Sequence, residues 1–289
     1  MAVALIPQPP VSGPEAMDEA AFAAWVRLLE TRTGVVVAPQ RKTFLVGAVR
    51  SRMREAGYRS FAAYFEHIQS PGAGAVEWAT LVDRLTVHET RFFRHPPSFE
   101  LIGQRWLPEQ LARSGDAPLH AWSVGCASGE EAWSLAMVLQ HGLAQAGARS
   151  PFGISASDVS AAAISTARAA LYPRHRLEEI PAVYRGDYLE LRDEASFTPV
   201  AALRRRVGFV RVNLLEAAAA PLQRLNIIFC QNVLIYFARE RRRVLLDGLA
   251  SLLEPGGLLL IGAGEVTNWN HPALVRVAWQ GTLAYQRRP

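Results

Sequence analysis

An open α/β domain behind a small all-helical one is the fold class that three observations predict. From about residue 118 onward, apolar runs of strand length alternate with stretches of helical spacing. The polar and glycine positions fall where those runs end, which is where open α/β sheets bind ligands. Residues 14 to about 85 carry helical spacing alone.

Length and composition agree with this. The 289 residues are half apolar, enough for one large or two ordinary domains. No apolar run reaches the roughly 20 residues that span a bilayer, and Met1 to Leu5 has no basic segment before its short apolar stretch, so a cytoplasmic protein without direct membrane insertion is expected. Two cysteines make no disulfide framework, and the seven histidines show no metal-ligand spacing with them; a reducing compartment and no metal follow. Cys126 and Cys230 read as inert apolar packing. The net charge of +5 comes from arginine, with Lys42 the one lysine, and attracts acidic partners. Nucleic acid is disfavoured, because the basic run has few interleaved aromatics and no nucleic-acid motif.

Residues 1–13 are rich in proline and read as a loose tail. A first helix places Phe22, Trp25, Val26 and Leu29 on one face until Gly34 ends it. A second is expected from Pro39 to Ala56, with Leu45, Val49, Met53 and Ala56 as its apolar stripe. Arg50 and Arg54 lie along one flank of that helix, Arg41 and Arg52 along the other. A solvated face and a docking surface for an acidic partner both fit. Two further helices run from Ser60 to Ser70 and from Val76 to Leu85, which completes an all-helical domain over 14–85.

Residues 86–100 read as a linker. In Leu85 to Arg94 the polar His88, Thr90 and Arg94 are threaded through Val87, Phe92 and Phe93, which suits a segment that packs by its aromatics and offers donors to a ligand. The Arg94 guanidinium is always charged and can serve a carboxylate or a structural ion pair. The domain over 101–289 is organised around Trp122 to Met137: a strand to Val124, a turn from Gly125 to Gly129, and a helix from Glu130. Glycines at both ends of the turn let backbone approach a ligand, and the helix start offers free amides. The spacing is neither that of a dinucleotide fingerprint nor that of a phosphate-binding loop. A ligand with one carboxylate and a nucleoside fits better.

A second strand, Phe152 to Ala156, ends in Ser157-Asp158. Asp158 stands where a Rossmann-type domain binds ribose hydroxyls, or it caps the next helix, Ser160 to Leu171. From about 173 to 206 the rhythm breaks, and short alternating runs at Tyr188 to Leu191 and Ser196 to Val200 indicate a small antiparallel insert. Val207 to Val212 resumes the main sheet before Asn213-Leu214. The buried run from Asn226 precedes Gln231, Asn232 and Tyr236. A long helix, about Arg239 to Leu253, is stopped by Pro255-Gly256-Gly257, and Leu258 to Ile261 is another strand. The tail, with Val275, Val277, Leu283 and Tyr285, should finish the sheet as an antiparallel pair.

Taken together, Leu85 to Arg94, Trp122 to Met137, Ala156 to Tyr172, Val207 to Leu215 and Ile228 to Glu265 resemble the chemotaxis receptor methyltransferases, the CheR-type S-adenosylmethionine-dependent protein-glutamate O-methyltransferases. The resemblance covers about Phe22 to Tyr285. It implies a doubly wound, Rossmann-like methyltransferase sheet with a small β-subdomain insert, preceded by the all-α domain. It further implies that His88, Thr90, Arg94, Glu130, Asp158, Asn213, Leu214, Gln231 and Asn232 line an S-adenosylmethionine pocket, which Gly125 of the glycine turn joins; for such a reaction Arg94 and the Tyr236 hydroxyl are expected to orient the incoming carboxylate. Arg50, Arg52 and Arg54 would face the acidic helical region of a receptor. His88 stands where the family usually has Asn, Gln231 where it has Arg, and Gly262-Ala263-Gly264-Glu265 where it has Gly-His-Ser-Glu.

Overall fold

The computed structural model describes residues 16–86, 89–219 and 224–288. The expected tail at 1–13 and the candidate His88 lie outside them. The chain divides into two compact units, one formed by the residues up to Thr31 with Val37–Leu85, the other by Arg32–Val36 with Thr86 onward.

The first unit is helical: α1 (Glu19–Thr33), α2 (Lys42–Glu55), α3 (Phe61–Gln69) and α4 (Ala73–Leu85). Its stripes meet as the spacing predicts, with Trp25, Leu29, Leu45, Val49, Met53, Tyr64, Ile68 and Leu81 buried. Trp25 packs edge-on to Phe65 at 4.9 Å between ring centroids. The second helix starts later than its pattern suggests, because Pro39–Arg41 winds as a tighter 3-10 turn first. Gly57, at φ +82°, lets the chain leave α2.

Arg52 is bound into this unit. It donates to both carboxylate oxygens of Glu77 at 2.7 and 2.6 Å and to Glu55 at 3.1 Å, while Tyr64 donates its hydroxyl to Glu77 at 2.7 Å. Burial would raise the Glu77 carboxyl, but Arg52 and Tyr64 more than reverse this and hold it below the usual range. Arg52→Ala strands a buried carboxylate and is expected to cost about 3 kcal/mol in urea unfolding, with Arg54→Ala costing under about 0.5 kcal/mol. Equal costs for the two variants would contradict this structural role.

The second unit opens with a helical run that the spacing did not reveal: α5 (Pro96–Glu100), a wide π-type stretch (Leu101–Trp106) and α6 (Leu107–Ser114). There follow β1 (Leu119–Val124), α7 (Glu130–Gln145), β2 (Phe152–Asp158) and α8 (Ala161–Ala169). The insert comprises β3 (Tyr172–Pro173), a 3-10 turn (Arg174–Glu179), α9 (Ala182–Tyr188), β4 (Leu189–Leu191), β5 (Ser196–Pro199) and α10 (Ala201–Arg204). The chain returns through β6 (Val207–Arg211), β7 (Leu225–Cys230), α11 (Arg239–Ser251), β8 (Leu253–Ile261), β9 (Leu274–Val277) and β10 (Leu283–Arg287).

The main sheet has the order β6-β2-β1-β7-β8-β10-β9, parallel through its first five strands, and β9 and β10 close it antiparallel as the tail pattern predicts. The insert forms its own antiparallel sheet, β3-β5-β4. Alternate residues of the central strands feed opposite layers. Ala121, Ile227, Phe229, Leu258 and Leu260 join α7 on one face; Trp122, Ile228, Cys230, Leu259 and Ile261 meet α11 on the other. Strand order reverses between β1 and β7, so the crevice at their carboxyl ends is the place this topology offers a ligand.

Candidate functional site

The turn after β1 is held open by backbone geometry. Gly125 has φ +68°, and a Cβ there would sit 2.4 Å from Val233 Cγ2. Three non-glycine residues around the same edge, Phe93, Ala127 and Asn232, also have positive φ, the kind of local strain that clusters at functional sites. The turn is pinned to the neighbouring strand: Cys126 N donates to Ser157 O at 2.9 Å, and Ala127 N to Asp158 Oδ2 at 2.9 Å. Asp158 Oδ1 accepts from Ser160 N at 2.9 Å. The cap of α8 is Ser160, whose hydroxyl accepts from Ala163 N at 3.0 Å. Of the two roles open to Asp158 in the sequence, the cap is thus filled by another residue, and Asp158 shapes the turn.

Glu130, at the first position of α7, is fully buried. Its oxygens accept from the Ser128 hydroxyl at 2.9 and 2.7 Å and pair with Arg176. Arg176, which the sequence reading did not single out, also donates to Thr90 O at 2.7 Å and pairs with Glu179 at 3.2 Å. Its only sequence signal was a basic run, Arg174-His175-Arg176, ahead of two acids. Phe92 N donates to Glu179 Oε2 and Phe93 N to Ser134 Oγ, both at 2.9 Å. The segment carrying Thr90 and Arg94 is thereby fixed between the insert and α7. Arg94 is half-buried and donates to Glu89 O at 2.6 Å.

Two further acids face this edge. Glu131 accepts from the Ser123 hydroxyl at 2.7 Å and keeps slight solvent contact, yet burial pushes its carboxyl up to about 8, with Glu265 adding to the rise and Ser123 and Arg94 opposing it. Glu265 is buried; its Oε2 accepts from Gly262 N at 2.8 Å, and its Oε1 has no partner among the described residues. Burial raises its carboxyl too. Burial likewise pushes the Cys126 and Cys230 thiols upward, which keeps both protonated and unreactive.

Glu131 gives a pH test. Between the ordinary carboxylate value of 4.5 and about 8, the folded chain holds a proton that the unfolded chain has lost. Stability therefore falls as pH rises through that window, by up to about 1.4 kcal/mol per pH unit, and levels off above it. In Glu131→Gln that decline is absent, so the variant's Tm relative to the parent should climb from pH 5 to 8. A constant difference across the range would count against a raised Glu131.

The remaining candidates take different places. Asn213 donates to Arg32 O at 2.6 Å and accepts from Leu215 N at 3.1 Å, and Leu214 packs half-buried on the α11 layer. Gln231 is buried and donates to Ser98 Oγ at 2.9 Å and Ile261 O at 3.2 Å. Tyr236 is half-buried on the short turn after β7, and its carbonyl accepts from Val36 N at 2.8 Å. Arg50, Arg52 and Arg54 belong to the first unit. There Arg54 is exposed, while Arg50 lies over the Phe61 ring at 5.8 Å with its Nε buried and unpaired.

Gly125, Asp158, Asn213, Gln231 and Gly262 all follow or end parallel strands, so one sheet edge gathers them with Glu130, Glu131 and Glu265. Asp158 and Glu130 beside a glycine turn suit a ligand with a ribose diol and a cationic amine. This donor set fits S-adenosylmethionine. Among the described residues no His, Cys, Asp and Glu cluster has metal-ligand geometry, and no helix is long and apolar enough to cross a membrane.

Residues 88–280 match the CheR methyltransferase SAM binding domain, and residues 20–86 the CheR methyltransferase all-alpha domain. Chemotaxis protein methyltransferase 2 of Pseudomonas aeruginosa is 34% identical over 86% of this chain and 86% of its own length. Chemotaxis protein methyltransferase 1 of the same organism is 32% identical over 83% and 88%. The chemotaxis protein methyltransferase of Borreliella burgdorferi is 26% identical over 85% and 87%.

Proposed function

The chain belongs to the CheR methyltransferase family, and from that premise we propose that it transfers the methyl group of S-adenosylmethionine to glutamate side chains in the acidic helical region of a chemoreceptor. S-adenosylmethionine is the cofactor, and methyl transfer in chemotaxis adaptation is the activity. The observation that carries the finer reading is the pairing of a carboxyl-ringed glycine turn with Arg94, a half-buried, fixed cation on the segment beside it.

When bound, the cofactor supplies a methyl group activated by its sulfonium. Gly125, Thr90, Glu130 and Asp158 hold it from the turn and the linker; His88 joins them by resemblance alone. Asn213 and Gln231 act by fixing the backbone at the ends of β6 and β7, since their amides are engaged within the fold, while Leu214 and Asn232 contribute chain geometry. The receptor carboxylate is ionised at neutral pH, with an unperturbed value of about 4.3, so no general base is needed. Arg94 and the Tyr236 hydroxyl orient it, which makes positioning the main source of rate. In the first unit, Arg50 and Arg54 offer docking charge for the acidic helices, and Arg52 supports them by holding α2 to α4.

The test is transfer of labelled methyl from S-adenosylmethionine to a receptor cytoplasmic fragment. A base-labile label that is lost when the target glutamates become alanine is expected. A base-stable label, or transfer to another acceptor only, would contradict the carboxylate assignment.

A further inference from the structure

Helix α11 begins with Arg239-Glu240-Arg241-Arg242-Arg243. Cations at a helix N-terminus oppose the macrodipole and repel one another, so helix stability does not account for four arginines in five positions. None of the four forms an ion pair among the described residues. Arg239, Arg242 and Arg243 instead line a recess of about 330 Å³, together with Glu265, Val266 and Thr267.

Arg242 spends its donors on carbonyls: Nε on Phe237 O at 2.8 Å, Nη2 on Ile235 O at 3.1 Å and Nη1 on Glu265 O at 2.9 Å. Those carbonyls neutralise no charge, and two of them flank Tyr236. The recess is thus tied by one guanidinium to the turn that carries the Tyr236 hydroxyl. In the recess wall Glu265 is buried, its Oε1 closed off from solvent and its carboxyl facing the backbone amides of Val233, Leu234 and Ile235, so the charge offered to a partner is that of the arginines. Anionic side chains for the exposed arginines are what an acidic polypeptide presents, and the proposed substrate region is acidic.

We infer that the α11 recess docks an acidic segment of the substrate protein next to its target glutamate, with Arg239 and Arg243 as the contacting charges and Arg242 as the brace to Tyr236. The inference rests on the proposed substrate class and adds a second contact region in the catalytic unit. Arg239 and Arg241 are exposed, and Arg243 is exposed with one bond to Asn268 O at 3.2 Å, so Arg239 and Arg243 can be changed without opening the core.

The experiment uses the full chain and two readouts. In titrations with a Glu-rich helical peptide, without turnover, Arg239→Glu/Arg243→Glu should weaken binding about tenfold and flatten its salt dependence, with Arg239→Gln/Arg243→Gln in between. In methyl transfer to the receptor fragment, KM should rise by a similar factor with kcat and S-adenosylmethionine affinity kept. Unchanged peptide affinity and KM would overturn the inference and leave the proposed function standing. Arginine-dependent binding of duplex DNA but not of the peptide would overturn it as well. Arginine-dependent peptide binding in a protein that transfers methyl to no receptor carboxylate would support acidic recognition and sink the substrate assignment instead.

Discussion

Arg94→Ala should lower the single-turnover rate of methyl transfer by about 100-fold while S-adenosylmethionine affinity changes less than about tenfold. The expectation comes from how the residue is presented. Phe92 packs edge-on to Tyr172 at 4.9 Å, and Phe93 stacks on Tyr184 and tilts against Phe99, each at 5.1 Å. Both rings are buried, and Phe93 takes a positive φ that turns the chain just before Arg94. The guanidinium therefore leaves a rigid base, held to Glu89 O and close enough to Glu131 to oppose part of the rise of its carboxyl. In the proposed reaction a fixed cation at this edge would orient the carboxylate nucleophile, and loss of such placement would cost reaction rate more than cofactor binding. Tyr236→Phe removes one orienting hydroxyl and should slow the same step about tenfold. Rapid-quench single turnovers with calorimetry on each variant measure the two effects separately. Unchanged rates in both variants would refute the assignment.

A stability effect as large as that at Arg52 is expected at Glu130. Its carboxylate is fully buried, and Arg176 is only 18% exposed beside it. Glu130→Ala removes the anion and leaves the cation with Glu179 and the Thr90 carbonyl, which should cost about 3 kcal/mol and roughly 10 °C in Tm. Glu130 is also a proposed cofactor contact, so cofactor affinity should fall with it. Adding Arg176→Met removes the stranded charge, and the double variant should recover at least about 1 kcal/mol relative to the sum of the single changes. Strict additivity in thermal or urea unfolding would show that the two residues do not act as a pair.

Much of this architecture is legible in the sequence because its signals are local. Strand-length apolar runs, the Gly125-to-Gly129 turn and the stripes of α1 to α4 all depend on neighbours within a few residues, whereas Pro255-Gly256-Gly257, expected to stop the helix, lie within β8 after α11 has ended at Ser251. The run from Pro96 to Ser114 escaped because its apolar positions, Leu101, Ile102, Trp106 and Leu107, follow a wide turn that departs from 3.6 spacing. Residues 32–36 read as the end of a helix, yet they group with the second unit, where Val35 bridges to Phe237. That pairing joins positions about two hundred residues apart and leaves no local mark.

The site divides along the same line. Glycine and acid positions at strand ends could be placed by topology, whereas the partners that decide what each acid does could not. Arg176 reaches Glu130 from the insert, Arg52 meets Glu77 across 25 residues, and Ser160 takes the cap that was one of the two roles open to Asp158. Glu131 carries no mark of its own in the sequence, because its raised carboxyl depends on burial and on Ser123, Glu265 and Arg94, which the fold brings around it.

The central claim is that separated segments converge at the carboxyl edge of β1, β2, β6, β7 and β8 to hold the methyl donor. A crystal structure with S-adenosylhomocysteine bound tests it most directly. The account predicts the ribose at Asp158, the amino-acid portion near Glu130 and Thr90, and the sulfur facing Arg94 and Tyr236. Density for the product elsewhere, with that edge bare, would contradict it.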